Sequence, residues 1–258
     1  MISPSDGLGF LNNEGRDEER MRLDKMLSHL GLGSRKEVKQ LLKARRVTVN
    51  GAMVKDGKMQ VDEHNDAIAV DGEVMAYQAE HYFLLYKPQG VITATEDKRA
   101  RTVMDCLDDK DRVAGLFPVG RLDKDTTGLL LLTTNGPLAH ELLAPKKHVE
   151  KEYQALIEGV VTEKEIAQFK GGLTLDGGEI TQPAQLMVDR VDGNQSWIRL
   201  IIHEGKFHQV KRMFQAVGMK VLRLHRLRMG SLVLGNLAEG QYRPLTDKEI
   251  QLLGGDRE

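Results

Sequence analysis

The stretch that decides the fold runs from residue 120 to residue 132 and reads GRLDKDTTGLLLL. A polar, charged loop leads here directly into an apolar run that is typical of a buried strand. Such a loop would hold the Asp123 carboxylate at the edge of a core, where a cationic partner is needed to keep it ionised. Taken alone, the pattern leaves two interpretations open for Asp123 and Asp125: a divalent metal site or a simple turn cap.

Strand and helix patterns continue on both sides of this stretch, from residue 82 to residue 254. Strands are predicted at 82–86, 91–93, 129–134, 153–157, 184–191 and 196–202. Helices are predicted from Pro137 onward, at about 163–170, at 208–217 and at 247–253. Hairpin turns are common and regular strand–helix–strand units are few. We therefore expect the α+β class, with a mainly antiparallel mixed sheet flanked by helices.

A smaller basic module is predicted at residues 21–78. Apolar residues at helical spacing begin at Leu23, and Ser34 with Glu37 forms a capping box for a second helix. The pair Asn50-Gly51 between two alternating segments is typical of a tight hairpin. A helix pair plus a short hairpin is therefore expected. Residues 1–20 show no apolar periodicity, and we expect a disordered tail there.

Charge is distributed unevenly along the 258 residues, although the formal net charge is only -1. Residues 21–60 carry ten basic and three acidic side chains, and residues 203–228 carry seven basic side chains against one acidic. Like charges four residues apart disfavour a helix, whereas contacts with phosphates would turn that cost into a gain. Two basic segments favour a nucleic-acid partner over an ordinary solvated surface.

Several protein classes are excluded or disfavoured by what the sequence lacks. The single cysteine, Cys106, rules out an intramolecular disulfide and a multi-cysteine zinc site. Phosphate-binding loops, dinucleotide fingerprints and the common hydrolase motifs are missing. His203, His208 and His225 could suggest a metal site, but neutral imidazoles on an RNA-binding surface are favoured. No apolar run is long enough to span a membrane, and a cytoplasmic location is expected.

The basic module resembles an S4 RNA-binding domain. The similar segments are Arg22 to Leu27, Gly33 to Val38 and Arg45 to Gly51. S4 domains hold structured RNA against such a helix pair. The resemblance implies that RNA is contacted by Arg22, Lys25, Arg35, Lys36, Lys39, Lys43 and Arg46.

The deciding stretch is similar to the active-site motif of the RsuA/RluB/RluE/RluF family of pseudouridine synthases. Four other segments agree with that family, namely Lys87 to Gly90, Glu150 to Tyr153, Glu204 to Met213 and Tyr242 to Thr246. The resemblance implies a catalytic domain at residues 82–254. It also implies a reaction that needs no cofactor or metal. The start of the module at Met21, and the lysine rather than arginine at position 211, look most like the branch that acts on 16S rRNA.

The same resemblance implies roles for individual residues. Asp123 matches the catalytic aspartate, which either attacks C1′ of the target uridine or removes its C2′ proton. Lys211 matches the cation that pairs with the aspartate, Tyr153 the aromatic that stacks on the target base, and Arg121 the residue that helps to open the RNA. Further RNA contacts are expected from Lys206, His208 and Arg212.

The kind of RNA substrate can be inferred from the free energy needed to extrude a nucleotide. Extruding a nucleotide costs a few kcal/mol, whereas one aromatic stack returns only about 1–3 kcal/mol. Phosphate contacts must supply the remaining free energy. We therefore expect the enzyme to bind a folded RNA site in a partly assembled small subunit. The enzyme is expected to be a monomer. Three alternatives stay open: a synthase for 23S rRNA, a non-catalytic assembly factor, and a metal-dependent phosphoesterase that uses Asp123 and Asp125.

Overall fold

The computed structural model describes residues 20–62, 65–75 and 80–254, and the chain divides into two compact units between Ala79 and Glu80. The tail expected at residues 1–20 lies outside the described residues except for Arg20. Arg20 begins a strand and pairs with Asp62, so this one residue of the expected tail belongs to the sheet. In the described part of the chain, no helix combines the length and apolar character that crossing a membrane requires.

The described part of the N-terminal unit contains two helices and six short strands. The helices are α1 (Leu23–His29) and α2 (Arg35–Lys43). The strands are β1 (Arg20–Arg22), β2 (Val47–Val49), β3 (Ala52–Met53), β4 (Gln60–Asp62), β5 (Ile68–Val70) and β6 (Glu73–Val74). Four strands form a sheet in the order β3-β2-β5-β6, and β1 pairs with β4.

Local sequence signals explain how this unit folds. The Ser34 amide and hydroxyl both donate to the Glu37 carboxylate, which confirms the capping box of α2. Asn50 and Gly51 both have positive φ, as the predicted tight hairpin between β2 and β3 requires. Leu23, Leu27 and other apolar residues of both helices pack against β2 and β5. The expected helix pair and hairpin are confirmed, whereas strands β1, β4, β5 and β6 were not predicted.

Within residues 80–254, the C-terminal unit contains a mixed sheet and four α-helices. Its strands are β7 (Tyr82–Lys87), β8 (Phe117–Pro118), β9 (Thr127–Thr133), β10 (Lys151–Glu158), β11 (Gln185–Asp192), β12 (Gln195–Ile202), β13 (Lys220–Met229), β14 (Leu232–Val233) and β15 (Tyr242–Pro244). Its helices are α3 (Gly136–Leu143), α4 (Glu163–Gly171), α5 (Gln209–Ala216) and α6 (Asp247–Gly254). The strand order is β11-β12-β10-β13-β9-β7-β15, with β14 on β13 and β8 on β9. The β9–β13 pair is parallel and the other pairs are antiparallel, so the predicted α+β class is confirmed.

Strand β9 is buried on both faces, which explains its uninterrupted leucine run. Leu130 and Leu132 belong to a core that includes side chains of α4 and α5. Leu129 and Leu131 face a second core, formed with α3 and α6. A strand covered on both sides reads as a continuous apolar run instead of an alternating one. The loop that carries Asp123 is therefore attached to the best-buried strand of the unit.

One predicted strand is absent from the structure, and one central strand was not predicted. Residues 91–93 form no strand, and Ile92 makes only an isolated bridge with Thr102. Thr93 uses its hydroxyl to bind the backbone of Leu122. Strand β13 was missed because its charged residues were interpreted only as a basic surface. It lies inside the sheet between β10 and β9, where Arg226 is buried and donates to the carbonyl oxygen of Leu129.

Candidate active site

The loop that carries Asp123 lies between β8 and β9 and is held by hydrogen bonds from a distant segment. The Thr93 hydroxyl donates to the Leu122 carbonyl oxygen at 2.7 Å and accepts from the Leu122 amide at 3.1 Å. The Gly90 amide donates to the carbonyl oxygen of Lys124 at 2.8 Å. Both residues that flank Asp123 are therefore fixed through their backbones, and the carboxylate projects from a rigid loop.

A buried lysine supports the same loop from inside. The Lys87 side chain is fully buried, and its Nζ donates to the carbonyl oxygens of Thr126 at 2.8 Å and Pro88 at 3.0 Å. Burial lowers the pKa of Lys87 to about 8, although nearby acidic groups that include Asp123 and Asp125 act in the opposite direction. From the sequence, Lys87 was named only as the first residue of a segment that agrees with the family, and its supporting position was not predicted.

The Lys211 ammonium group joins two carboxylates of the loop. Its Nζ lies 2.9 Å from Oδ2 of Asp123 and 2.6 Å from Oδ1 of Asp125. Burial opposes the charged form of Lys211, but hydrogen bonds to Asp125 and Asp123 raise its pKa above the usual value. Burial likewise disfavours ionised Asp125, yet the ammonium group lowers the pKa of that carboxyl. The side chains of Asp123 and Lys211 remain 26% and 28% exposed, so a ligand can reach the pair.

A second nitrogen group approaches Asp123 from the start of α5. Nε2 of His208 lies 3.3 Å from Oδ1 of Asp123. His208 has a φ of 47°, a left-handed backbone conformation that is uncommon for residues other than glycine. His208 was expected on the RNA-binding surface, and the structure places its imidazole directly against the Asp123 carboxylate.

Gly128 brings strand β13 close to the base of the loop. A Cβ atom at residue 128 would lie 2.3 Å from the backbone oxygen of Arg226, and φ at this position is +113°. Glycine is therefore required where the parallel strands meet. Tyr153 lies one strand beyond, on β10, where it pairs with Arg226 and Leu200 and is only 7% exposed. Its side chain belongs to the core shared with α4 and α5.

The other cations predicted near this site differ in whether an acidic partner binds them. Arg121 is exposed and forms no ion pair with a described residue. Lys206 lies 3.4 Å from the buried carboxylate of Glu204. Arg212 is bound to Asp176 and Glu179, which raise its pKa, so its guanidinium is already engaged inside the unit.

The seven cations that were expected to contact RNA in the N-terminal unit fall into two groups. Arg22 is paired with Asp24, and Arg46 with Asp71. The remaining side chains are exposed and form no ion pair with a described residue: Lys25, Arg35, Lys36, Lys39 and Lys43. Four of these five lie on α2, which therefore presents a row of unpaired positive charges. In the ranges 20–62, 65–75 and 80–254, no cluster of three metal-ligating side chains is found.

Comparisons with known proteins define the class of this protein. The family model for RNA pseudouridylate synthase matches residues 81–216, and that for the S4 domain matches residues 21–68. A solved structure of a pseudouridylate synthase shares 38% sequence identity at a TM-score of 0.63, covering 90% of this chain and 99% of its own. The fold is therefore that of a pseudouridine synthase joined to an S4 domain.

Three relatives narrow the assignment. The uncharacterized RNA pseudouridine synthase YtzG of Bacillus subtilis (strain 168) is 46% identical and is matched over 90% of this chain and 98% of its own. The ribosomal small subunit pseudouridine synthase A of Yersinia pestis is 42% identical over 91% of this chain and 98% of its own. The ribosomal large subunit pseudouridine synthase B of B. subtilis is 38% identical over 90% and 95%. The chain belongs to the RsuA/RluB family of pseudouridine synthases.

Proposed function

We propose that this enzyme converts one specific uridine of 16S ribosomal RNA to pseudouridine. The support is the 42% identity to a small subunit synthase over nearly the whole of both chains, compared with 38% for the large subunit synthase. The lysine at position 211 agrees with the small-subunit branch. Ribosomal RNA is the partner, presented in a partly assembled small subunit, and we place the enzyme in the cytoplasm.

Asp123 is the proposed catalytic residue, and the single observation that carries this proposal is the contact of Asp123 with Lys211 at 2.9 Å. In the reaction the N1–C1′ bond of uridine breaks, the base turns, and a C5–C1′ bond forms. C5 loses a proton and N1 gains one, so no net oxidation or reduction occurs. A carboxylate held ionised and oriented by an ammonium group, on a loop fixed by Thr93 and Lys87, suits a reaction at C1′ or C2′.

Two further residues contribute to the proposed reaction. Tyr153 would stack on the extruded base, which requires local opening of the core edge because the ring is largely covered in the free protein. Arg121, exposed and unpaired with the described residues, would occupy the space that the base leaves in the RNA. Neither contact alone repays the cost of extrusion, so docking elsewhere on the protein must contribute.

Docking is assigned to the basic module. We propose that residues 21–78 form the S4 domain and residues 82–254 the catalytic domain. The exposed cations on α2 supply phosphate contacts, and counterion release makes their contribution strongly salt-dependent. Lys206 adds a contact next to the catalytic loop. Because Asp123, Lys211 and Tyr153 come from one chain, the enzyme is proposed to act as a monomer.

The decisive experiment is a pseudouridine map of ribosomal RNA from a strain that lacks the gene. We expect one site in 16S rRNA to lose its modification, and the intact gene to restore it. An Asp123→Asn variant should fail to restore the site while binding the RNA with nearly unchanged affinity, because the change removes one charge and keeps the shape. Full turnover by Asp123→Asn would refute the catalytic assignment, and a map without any lost site would favour a non-catalytic assembly factor.

A second candidate substrate is 23S rRNA, which the 38% identity to a large subunit synthase favours. The same map distinguishes the two substrates. Loss of a site in 23S rRNA would support the proposed reaction but would show that the substrate is 23S rRNA and not 16S rRNA. Activity that depends on a divalent metal and disappears with EDTA under conditions that keep the RNA folded would instead favour a phosphoesterase.

A further inference from the structure

Phe207 is the most exposed of the large apolar side chains in the described part of the chain. Its exposed fraction is 74%, whereas Phe83, Phe169 and Phe214 are buried in the core. Phenylalanine is among the residue types most often buried, and single exposed apolar residues also occur on ordinary surfaces, so exposure alone does not define a site. The position of this ring relative to Asp123 indicates which partner it fits.

The imidazole of His208 lies between the Phe207 ring and the proposed catalytic carboxylate of Asp123. Phe207 stacks on the imidazole of His208, with ring centroids 3.7 Å apart and planes inclined by 23°. The same imidazole lies 3.3 Å from Asp123. One face of the phenyl ring is therefore taken by His208, and the exposed area lies on the opposite face and the edge. An RNA that places a uridine at Asp123 must bring its neighbouring nucleotides past this ring.

The turn that carries Phe207 is held in place on both sides. The Lys206 amide donates to the side-chain oxygen of Gln209 at 2.8 Å, and the Gln209 amide donates to the carbonyl oxygen of Lys206 at 3.2 Å. Arg212 donates to the carbonyl oxygen of Phe207 at 3.3 Å and to that of Asp176 at 2.7 Å. A ring on a fixed turn loses little conformational freedom when a partner stacks on it.

The surrounding charge favours a nucleobase over an apolar peptide. Lys206 and Lys211 flank the aromatic pair in sequence, and both ammonium groups are partly exposed. Cationic groups that track a phosphate backbone, combined with an open aromatic face, are the arrangement by which proteins bind unpaired nucleotides. An apolar segment of a protein partner would have to desolvate the Lys206–Glu204 and Lys211–Asp123 ion pairs, which costs free energy.

We propose that Phe207 and His208 form a stacking platform for a second nucleobase of the RNA, one that flanks the target uridine. This inference rests on the proposed reaction at Asp123 and adds a binding subsite to it. The platform holds the flanking base outside the helix while the target uridine occupies the catalytic site. Phe207 is thus a positioning residue for the RNA strand.

The test compares Phe207→Ala, Phe207→Leu and Phe207→Tyr on the RNA that wild-type enzyme modifies at the mapped site. We expect Phe207→Ala to raise KM about 5- to 150-fold, the range of one base stack, with a much smaller change in kcat. Phe207→Tyr should restore KM to near the wild-type value, whereas Phe207→Leu, which is apolar without a π face, should not. Val233→Ala, which truncates an exposed apolar side chain on β14, serves as the matched control and should leave KM unchanged.

A second measurement separates stacking from a merely structural role. Ligated transcripts that carry an abasic nucleotide directly before or after the target should bind the wild-type enzyme more weakly at one of the two positions. The same abasic transcript should cause no further loss in Phe207→Ala, because the stacking partner is already absent. Equal abasic losses in both enzymes, or a Phe207→Leu variant equal to wild type, would overturn the platform. Failure of wild-type enzyme to modify any ribosomal RNA would instead refute the proposed function.

Discussion

At the residue scale, the charge balance of the site depends on Lys211. Replacing it with methionine leaves Asp123 and Asp125 as like charges without the ammonium group that joins them. Because Lys211 lowers the pKa of the Asp125 carboxyl, its removal makes proton binding by Asp125 easier. We expect Lys211→Met to reduce kcat/KM by about 10- to 100-fold and to move the acidic limb of the pH–rate profile upward.

Single-turnover rates between pH 5 and 9 measure this effect. Lys211→Arg is the matched variant, since it keeps a positive charge but changes the geometry. Its acidic limb should stay close to that of the wild type even where its rate is lower. A Lys211→Met profile with an unchanged acidic limb would show that Lys211 does not control the protonation of the carboxylates.

The residue scale also shows what the sequence could not reveal about the site. The contact between Asp123 and Lys211 agrees with the pairing that the motif resemblance implies, although the role of each residue stays a prediction. His208 was expected among RNA contacts, and its approach to Asp123 depends on a left-handed backbone conformation that no local sequence signal indicates. Arg212 was expected to contact RNA, yet its partners Asp176 and Glu179 lie more than 30 residues away in the chain. Such long-range pairs leave no periodic pattern.

At the scale of elements, the junction of β9 and β13 depends on Gly128. Alanine at this position would combine a φ of +113° with a Cβ atom 2.3 Å from a backbone oxygen of Arg226. The backbone of a central strand cannot move away cheaply, so we expect Gly128→Ala to lower the free energy of unfolding by about 2–4 kcal/mol. Urea unfolding of the full chain, followed by circular dichroism, measures the loss.

Gly115→Ala provides the matched control for this substitution. Gly115 also has a positive φ, +81°, but nothing lies within 4 Å of a Cβ atom there. The control therefore carries the backbone strain without the collision, and we expect a loss of about 1 kcal/mol. Equal losses in the two variants would mean that the close approach of β13 contributes nothing.

Helix α2 is the element whose charge can be tested most directly. Reversing Lys39 and Lys43 to glutamate removes two exposed cations that form no ion pair with a described residue. We expect weaker RNA binding and a slope of log affinity against log salt that is smaller in magnitude by about 1.5. Reversal of Lys164 and Lys170, which are exposed on α4, changes the net charge equally and should leave the slope nearly unchanged. Equal slopes for all three proteins would contradict docking through α2.

The strands and helices that were predicted from the sequence share a clear local pattern. Strands β7, β9, β10 and β12 were predicted because their apolar residues either alternate or run continuously, and α2 because of its capping box. Strand β13 was missed because its arginines and lysine dominate the composition. These cations alternate with Leu224 and Met229, and the backbone is fixed by neighbours that are distant in sequence. Whether such a segment forms a strand depends on pairing with segments distant in sequence, and a local sequence pattern does not show this pairing.

At the scale of the whole molecule, the net charge of -1 averages over unlike segments. Residues 21–60 and 203–228 are strongly basic, and acidic segments elsewhere balance them. Near neutrality limits indiscriminate attraction to RNA, while the two basic segments concentrate attraction where docking and chemistry are proposed. Docking and chemistry should therefore be separable by cutting the chain between the units.

A fragment of residues 80–258 tests this separation. Every residue of the two cores around the large sheet lies between Tyr82 and Leu253, and the core of the N-terminal unit uses none of them. We expect the fragment to unfold cooperatively and to keep a kcat within about threefold of the full chain, because Asp123, Lys211 and their supports are all retained. Its KM should rise and its salt slope should fall, since the cations of α2 are gone.

The Asp123→Asn form of the fragment serves as the inactive control, and the full chain with Lys39 and Lys43 reversed should shift KM in the same direction by a smaller factor. A fragment that folds but loses kcat as strongly as it loses affinity would show that the S4 domain takes part in the chemical step. A fragment with unchanged KM would instead place RNA docking on the basic segment around Lys206 and Phe207, so that the catalytic domain selects the RNA by itself.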